Sequence, residues 1–197
     1  MSGTLFLMIL IAYLLGSIPF GYILARIYKI DIRKSGSGNI GATNVLRTLG
    51  PAAGGAVLIL DILKGTLAVF LMQQVTSDPW LIIFAGLASV LGHTFPIFLK
   101  FRGGRGSATG LGILLGIAPD IFAGACLLVV AIVLLTGYVS VASIVTAVAV
   151  ASAFIILQRP LPYTLVISAI ALLLIIRHIP NIKRLINRTE PKVKLKK

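Results

Sequence analysis

The chain has 197 residues, of which 58% are hydrophobic and 12% are charged, with 18 Lys and Arg against 5 Asp and Glu. A soluble domain of this size cannot bury so much apolar surface in one core, and the apolar residues come in long runs rather than alternating. The composition therefore excludes a soluble globular domain and predicts an all-α, polytopic integral membrane bundle. Because the basic residues lie between apolar runs, the formal net charge of +13 indicates membrane orientation and anionic lipids or substrates, not nucleic acid.

Seven apolar runs are the candidate spans. The N-terminus lacks the positive segment of a cleavable signal, so the first run is predicted to be a retained span. In chain order the runs are Thr4–Leu24, Pro51–Met72, Leu81–Leu99, Leu111–Pro119, Ile121–Leu135, Val141–Leu157 and Leu161–Ile176.

Sixteen of the eighteen basic residues fall in three clusters: after the first run, after the third run, and in the C-terminal tail. The positive-inside rule places all three clusters in the cytoplasm. With an outside N-terminus, this pattern predicts seven spans and a cytoplasmic C-terminus. The run Leu111–Pro119 is too short to cross unless it starts near Gly106, and without it five spans is the next consistent number. We expect one membrane-embedded domain over residues 1–197, with 188–197 as a basic, mobile tail.

The first polar segment, 35–47, reads SGSGNIGATNVLR. Its glycines spell G-x-G-x-x-G, but a dinucleotide site needs a preceding strand, and here a membrane span precedes. A glycine-rich turn that leads into a short helix is the better interpretation, with Thr43, Asn44 and Arg47 on one face. The start of that helix and Arg47 would hold a phosphate. The alternative is a loop that only turns the chain.

The second segment, 92–109, contains GHTFP and then FRGGRGSAT. Glycines flank Arg105, and hydroxyl residues open the next apolar helix, which is the chemistry of an anion-binding loop. The spacing of a Walker loop is absent. Arg102 fits an ordinary inside-positive charge, whereas Arg105 between glycines favours a ligand.

The third segment, 177–184, reads RHIPNIKR. His178 and Asn181 are three residues apart just beyond the last span, which leaves a structural and a functional interpretation open.

Within the spans, Asp61 and Lys64 form an i, i+3 pair that either fixes helix packing or serves a site. Ser140 and Ser143 lie at the start of the sixth run, where hydroxyls are also ordinary interhelical contacts. Cys126 and two histidines predict no disulfide framework, and no metal site is expected.

Together these segments resemble the PlsY family, the bacterial acyl-phosphate:glycerol-3-phosphate acyltransferases, whose three cytoplasmic motifs are similar to GSGNIGATNVLRTLG, GHTFPIFLKFRGGRGSATG and RHIPNIKRLI. The stretches LDILKG and YVSVAS are also similar, so the resemblance covers essentially the whole chain. Two positions depart from the family pattern. Arg105 stands where the family usually has Lys, which changes the reach and geometry of the cation, and Arg188 stands where it often has Gly.

The resemblance implies a seven-span bundle in the bacterial inner membrane with a site facing the cytoplasm. It implies acyl transfer from acyl phosphate to the 1-hydroxyl of sn-glycerol 3-phosphate, without a cofactor, among membrane lipids. The soluble enzyme that makes acyl phosphate (PlsX) is a candidate partner. The residues expected to serve catalysis are Ser37, His178 and Asn181. The residues expected to bind substrate or phosphate are Gly36, Gly38, Asn39, Thr43, Asn44, Arg47, Gly103, Gly104, Arg105, Gly106, Ser107, Ser143 and Arg177.

The chain lacks an obvious Ser-His-Asp triad, and phosphate is a good leaving group, so positioning, charge neutralisation and removal of one proton suffice. The proton acceptor is either His178 or a phosphate oxygen of the acyl phosphate, and we favour the phosphate oxygen.

Two rival functions differ from this one in what they require of the sequence. A CDP-alcohol phosphotransferase would need several intramembrane aspartates, which Asp61 alone does not supply. A small-anion transporter suits broken, glycine-rich helices, but the chain shows no convincing internal repeat.

Overall fold

The computed structural model describes residues 3–193. Within that range the regular structure is helical, with ten α-helices, two short 3-10 turns and no strand. The prediction of an all-α chain is therefore confirmed. The helices are α1 (Gly3–Ser17), α2 (Phe20–Ile27), α3 (Ala42–Leu49), α4 (Pro51–Gln73), α5 (Pro79–Thr94), α6 (Ser107–Ile117), α7 (Pro119–Thr136), α8 (Val139–Ile156), α9 (Leu161–Arg177) and α10 (Ile179–Ile186).

Each predicted apolar run overlaps a helix, and the differences lie at the ends. The first run is divided between α1 and α2, since Pro19 lacks the N–H that would continue the helical ladder. The third run ends as a helix at Thr94, and a 3-10 turn follows at Ile97–Leu99. The helix of the fourth run, predicted as Leu111–Pro119, begins at Ser107, next to Gly106, as a crossing would require.

Five helical segments of residues 3–193 are long and apolar enough to cross a membrane, and a sixth is obtained if α9 and α10, bent by 49°, count as one. A seventh span would have to be α6. Its 11 residues extend about 16 Å at 1.5 Å per residue, well short of a bilayer core of about 30 Å. The number of spans and the orientation of the termini therefore stay predictions.

The first compact unit ends at Ile117 and contains α1 to α6. Its helix pairs approach closely because glycines face backbone. A Cβ on Gly65 would lie 2.3 Å from the Thr109 carbonyl oxygen, and one on Gly112 would lie 2.0 Å from that of Ile62. The same small-residue packing joins α1 to α5. These contacts hold α1, α4, α5 and α6 together, and the second polar segment connects α5 to α6.

The second compact unit begins at Ala118 and contains α7 to α10, with α7 packed on α8 and α8 on α9. Arg159 contacts the Asp120 carboxylate near the start of α7. After α10 the chain does not leave the unit at once. Glu190 is buried, and Val193 N–H donates to the Gly137 carbonyl at 2.9 Å.

Residues 190 and 193 thus contact this unit, and the mobile tail expected at 188–197 stays a prediction. Lys194, Lys196 and Lys197, which belonged to the same expectation, lie outside the described residues. Whether the chain behaves as one domain stays a prediction.

Candidate active site

The first polar loop is built around the side chain of Asn44, which is 1% exposed. Its amide nitrogen donates to the backbone carbonyls of Ile32, Ser35 and Asn39 at 3.2, 2.9 and 2.8 Å. Its amide oxygen accepts the backbone N–H of Ser37 at 2.8 Å. Two amide hydrogens thus serve three carbonyls, which leaves no donor for a substrate. We therefore propose that Asn44 shapes the loop that carries Ser37, rather than binding phosphate directly as the sequence suggested.

Apolar contacts and glycines hold the same loop from both sides. Ile32, Ile40 and Val45 are buried in one cluster with residues of α2 and α4. Gly36 has φ +56°, and a Cβ there would lie 2.3 Å from the Asn44 amide oxygen, so the turn requires glycine twice over. The loop backbone is consequently rigid, and Ser37 is half-buried within it.

At the entrance of the loop, Asp31 begins a 3-10 turn at Ile32–Lys34 and accepts two side-chain hydrogen bonds from Arg33, at 2.9 and 2.8 Å. These bonds hold the pKa of the Asp31 carboxyl well below its usual range. The Arg33 guanidinium also lies over the Tyr22 ring at 4.8 Å. Arg33 is therefore engaged in the fold of the loop.

Beyond the loop, α3 begins at Ala42 and carries Thr43, Asn44 and Arg47, as predicted. Thr43 and Arg47 are half-buried, in contrast to the fully buried Asn44. The predicted shared face thus places one residue inside the loop and leaves two at its surface. Arg47 is the one cation of α3 and lies in its last turn.

The second polar loop runs back along the end of α5. Gly103 N–H donates to the Thr94 carbonyl at 3.1 Å, and Gly104 N–H donates to the His93 carbonyl at 3.0 Å. Helix carbonyls at a C-terminus lack intrahelical partners, and these two glycines supply them. The two N–H groups predicted to bind an anion are thus already used.

The two arginines of this loop differ in exposure, as their sequence context suggested. Arg102 is exposed, whereas Arg105 is half-buried and directly follows the glycine pair. Gly106 has φ +87° and accepts the Gly110 N–H at 2.7 Å as α6 begins. Arg105 and Ser107 therefore stand at the N-terminal end of a helix, where an anion is favoured.

The third segment bends at His178, which lies between the two helices as the C-cap of α9 and the N-cap of α10. Pro180 causes the bend, because it lacks an N–H and its ring clashes with the preceding turn. His178 is 2% exposed, and its Nδ1 lies 2.8 Å from the Leu174 carbonyl oxygen. A carbonyl only accepts, so Nδ1 carries the hydrogen and the neutral ring has its lone pair on Nε2.

Asn181 is 1% exposed, and its amide nitrogen donates to Glu190 at 2.6 Å. A carboxylate only accepts, so the amide oxygen of Asn181 must point elsewhere, and it has no hydrogen-bond partner among residues 3–193. Arg184 Nε binds the other oxygen of Glu190 at 2.7 Å. Burial alone would raise the pKa of Glu190, but the bonds from Asn181 and Arg184 outweigh it and lower that pKa.

Arg188, which replaces the family's frequent glycine, adopts φ +57°. The left-handed turn is thus kept at a non-glycine residue, which costs about 1 kcal/mol. The turn brings Glu190 back onto α10, where the Thr189 and Glu190 N–H groups donate to the Arg184 carbonyl at 2.8 and 3.2 Å.

The predicted residues fall into both compact units. The first unit holds α3, the first polar loop between α2 and α3 (the Ser37 loop) and the second polar loop between α5 and α6 (the Arg105 loop). The second unit holds Ser143, half-buried on α8, and Arg177, His178 and Asn181 at the α9–α10 bend.

Two contacts were not predicted from the sequence. Glu190 is the hydrogen-bond partner of Asn181, and His93 lies beside the Arg105 loop. A lone acid after a basic helix was the available signal for Glu190. Across 3–193, His, Cys, Asp and Glu form no group of three or more that could hold a metal.

Comparisons with known proteins agree over nearly the whole chain. A family model described as glycerol-3-phosphate acyltransferase matches residues 6–188. A glycerol-3-phosphate acyltransferase of Bacillus cytotoxicus is 47% identical over 193 residues, covering 98% of this chain and 96% of that protein. One of Trichormus variabilis is 45% identical over 203 residues, covering 94% and 90%.

The fold is similar to that of a crystallised protein, PlsY (YgiH), an integral membrane glycerol 3-phosphate acyltransferase. Its glycerol 3-phosphate form superposes with a TM-score of 0.94 at 38% identity, covering 98% of this chain and 96% of that chain. Its lysophosphatidic acid form superposes with a TM-score of 0.91 at the same identity and coverage.

Proposed function

The chain belongs to the glycerol-3-phosphate acyltransferase family, and we propose that it transfers an acyl group from an acyl phosphate to the 1-hydroxyl of sn-glycerol 3-phosphate. The hydroxyl oxygen attacks the acyl carbonyl carbon, a new ester C–O bond forms, and the bond from that carbon to the phosphate oxygen breaks. The hydroxyl proton passes to an acceptor. The products are 1-acyl-glycerol 3-phosphate (lysophosphatidic acid) and inorganic phosphate.

The observation that carries this proposal is the pair of acceptor atoms at the α9–α10 bend. The hydrogen bond from His178 Nδ1 leaves the lone pair on Nε2, and the bond from Asn181 to Glu190 turns the amide oxygen away. His178 and Asn181 are three residues apart, the spacing that puts side chains on one face of a helix. A substrate hydroxyl, which must be held and then lose its proton, suits these acceptors.

The charge of the substrates suits the other segments. Both substrates carry phosphate, and Arg47, Arg105 and Arg177 are the cations that would neutralise it. Arg105 lies where a helix N-terminus adds to the attraction. Apolar helices in lipid give the fatty chain a lateral path, and no covalent intermediate is required, since phosphate leaves readily.

The proposed setting is the inner membrane of a bacterium, with the three basic clusters and the active site on the cytoplasmic side and the N-terminus outside. A soluble enzyme that makes acyl phosphate (PlsX) would supply the donor. Labelling of single cysteines on intact cells checks the orientation in a Cys126→Ser background. A membrane-impermeant maleimide should reach Ser77→Cys and not Lys183→Cys, both of which are exposed. The reverse pattern would place the site outside.

The proton acceptor is the finer part of the proposal. We favour a phosphate oxygen of the acyl phosphate, whose pKa of about 6 makes it about as basic as imidazole; Ser37, His178 and Asn181 then orient the glycerol moiety. His178→Gln keeps a hydrogen bond but cannot titrate, and we expect it to retain more than about a tenth of kcat/KM. A loss of about 10² to 10⁴, with disappearance of an acidic limb from the pH profile, would make His178 the base.

Purified full-length protein in detergent decides the activity. Phosphate release should require both an acyl phosphate and glycerol 3-phosphate, and mass spectrometry should find the acylated glycerol phosphate in equal amount. Release without glycerol 3-phosphate would indicate a phosphatase. Uptake of glycerol 3-phosphate or phosphate into proteoliposomes, without chemistry, would indicate the rival transporter and sink the acyltransferase proposal.

A further inference from the structure

The first unit buries three polar side chains that the mechanism above does not use. Asp61 and Lys64 of α4 are 2% and 3% exposed, and His93 near the end of α5 is 5% exposed. All three lie in apolar, span-length segments. Ionised groups in that setting are costly unless they are paired, and they commonly serve function.

Lys64 is the centre of this cluster. Its Nζ lies 3.0 Å from the Ile18 carbonyl oxygen and 2.9 Å from His93 Nδ1. It also lies 2.8 Å from Asp61 Oδ1, as an ion pair rather than an aligned hydrogen bond. Ile18 is at the break between α1 and α2, so the ammonium joins that break to α4 and α5. Two of the three neighbours only accept, and an ammonium has three hydrogens to direct at them.

This contact determines the state of His93. An ammonium cannot accept, so His93 Nδ1 must accept from Lys64, and the hydrogen of the neutral ring sits on Nε2. Asp61 Oδ1 is further from Nδ1, at 3.6 Å. The tautomer is therefore opposite to that of His178, whose Nδ1 carries the hydrogen.

The Nε2 side of His93 faces the Arg105 loop. A Cβ on Gly104 would lie 2.1 Å from His93 Nε2, so the ring occupies the space beside that glycine. The Gly104 N–H donates to the His93 carbonyl, so backbone and ring both hold the residue before Arg105. A shift of the ring would displace the loop.

We propose that Asp61 and Lys64 are positioning residues, which fix the ring of His93 and through it the backbone that presents Arg105 to a substrate phosphate. The proposal rests on the function proposed above for the role of Arg105. An ion pair that only stabilised helix packing would need no contact with His93. Here the Lys64 ammonium instead contacts the imidazole of His93, which lies beside Gly104 in the Arg105 loop.

Histidine NMR tests the link independently of turnover, because the chain has only two histidines. In full-length protein with ¹⁵N-labelled histidine, His93 should show the Nε2–H tautomer and His178 the Nδ1–H tautomer, with His93→Gln assigning the signals. Lys64→Met should change the His93 signals and leave those of His178. The same tautomer for both histidines in the wild type, or an unaltered His93 in Lys64→Met, would overturn the proposal.

Kinetics test the consequence. Asp61→Asn/Lys64→Met removes both charges, so it avoids leaving a buried carboxylate unpaired. We expect kcat/KM to fall about 10²-fold, the cost of displacing a binding group by about 1 Å, with the KM of one phosphate substrate rising more than that of the other. Thr66→Val is the matched control on α4, because Thr66 bonds the Gly112 carbonyl and not the loop. It should lower the melting temperature, since an interhelical hydrogen bond is lost, and leave both KM values close to those of the wild type.

The two amide replacements of His93 separate positioning from packing. His93→Gln places an N–H near the Nε2 position, whereas His93→Asn reaches only the Nδ1 position. His93→Gln should be at least tenfold more active at equal melting temperature. Equal activities, or losses that follow melting temperature alone, would overturn the positioning role. Wild-type protein that fails to release phosphate would defeat the proposed function instead, and the tautomer measurement would still decide the link from Lys64 to His93.

Discussion

The two glycine-rich loops of the first unit, the Ser37 loop and the Arg105 loop, are each held in a fixed conformation, but by different contacts. The Ser37 loop wraps around one side chain, since Asn44 holds four backbone groups of that loop. The Arg105 loop has no such centre. Its backbone pairs with the end of α5, and its glycines leave room for the ring of His93.

The difference shows where each loop is vulnerable. The Ser37 loop depends on one side-chain amide, that of Asn44, which both donates and accepts hydrogen bonds. A nearly isosteric change of this amide therefore alters the whole turn. The Arg105 loop depends instead on glycine at position 104, because the ring of His93 occupies the space that a Cβ would need. The first loop is thus broken by changing a hydrogen-bonding pattern, and the second by adding a methyl group.

The largest effect is expected for Asn44→Asp. The carboxylate would still accept the Ser37 N–H but would face the carbonyls of Ile32, Ser35 and Asn39 without a hydrogen to give. Three lost buried bonds at about 1 to 3 kcal/mol each predict a fall in kcat of about 10³ or more. Steady-state phosphate release measures it. Asn187→Asp, exposed after α10, controls for added charge, and activity of Asn44→Asp within tenfold of wild type would refute the central role of this amide.

A smaller effect is expected for Arg105→Ala, which leaves the loop backbone intact and removes one cation. Loss of a charge-assisted contact to phosphate in a partly dry site predicts a fall in kcat/KM of about 10². Arg105→Lys should stay within about tenfold, since the charge is kept while the planar fork is lost.

Arg102→Ala provides the control for Arg105, because Arg102 is exposed in the same loop. Its kcat/KM should remain close to that of the wild type. If Arg102→Ala and Arg105→Ala behave alike, Arg105 is an ordinary inside-positive charge.

The smallest of the three effects is expected for Gly104→Ala. The added methyl would overlap His93 Nε2, and the loop or the ring must shift by a fraction of an ångström to about 1 Å, which predicts a loss of about 10- to 100-fold. Gly55→Ala is the matched control, because open space surrounds Gly55 on α4. Full activity of Gly104→Ala would mean that the loop tolerates displacement and that the contrast drawn between the two loops is wrong.

The candidate site could be proposed from sequence because its residues sit at breaks in apolar runs, and the roles of those residues stay predictions. Ser37, Arg105, His178 and Asn181 were each found in a short polar segment between spans. What those residues contact was not accessible in this way. Asn44 and Arg47 share one helix and were assigned the same role, yet one is buried in a loop and the other is half-buried.

The sequence by itself determined that the chain is helical and belongs in a membrane, because runs of about 20 apolar residues can satisfy their backbone in lipid only as helices. It also determined where the polar segments and the positive clusters fall. Only the tertiary structure decided which hydrogen-bonding groups are used up: Asn44 in its loop, the N–H groups of Gly103 and Gly104 on α5, and Asn181 on Glu190. The reason is physical. A polar side chain has few donors and acceptors, and their partners lie on backbone that folding, not sequence proximity, brings within 3 Å.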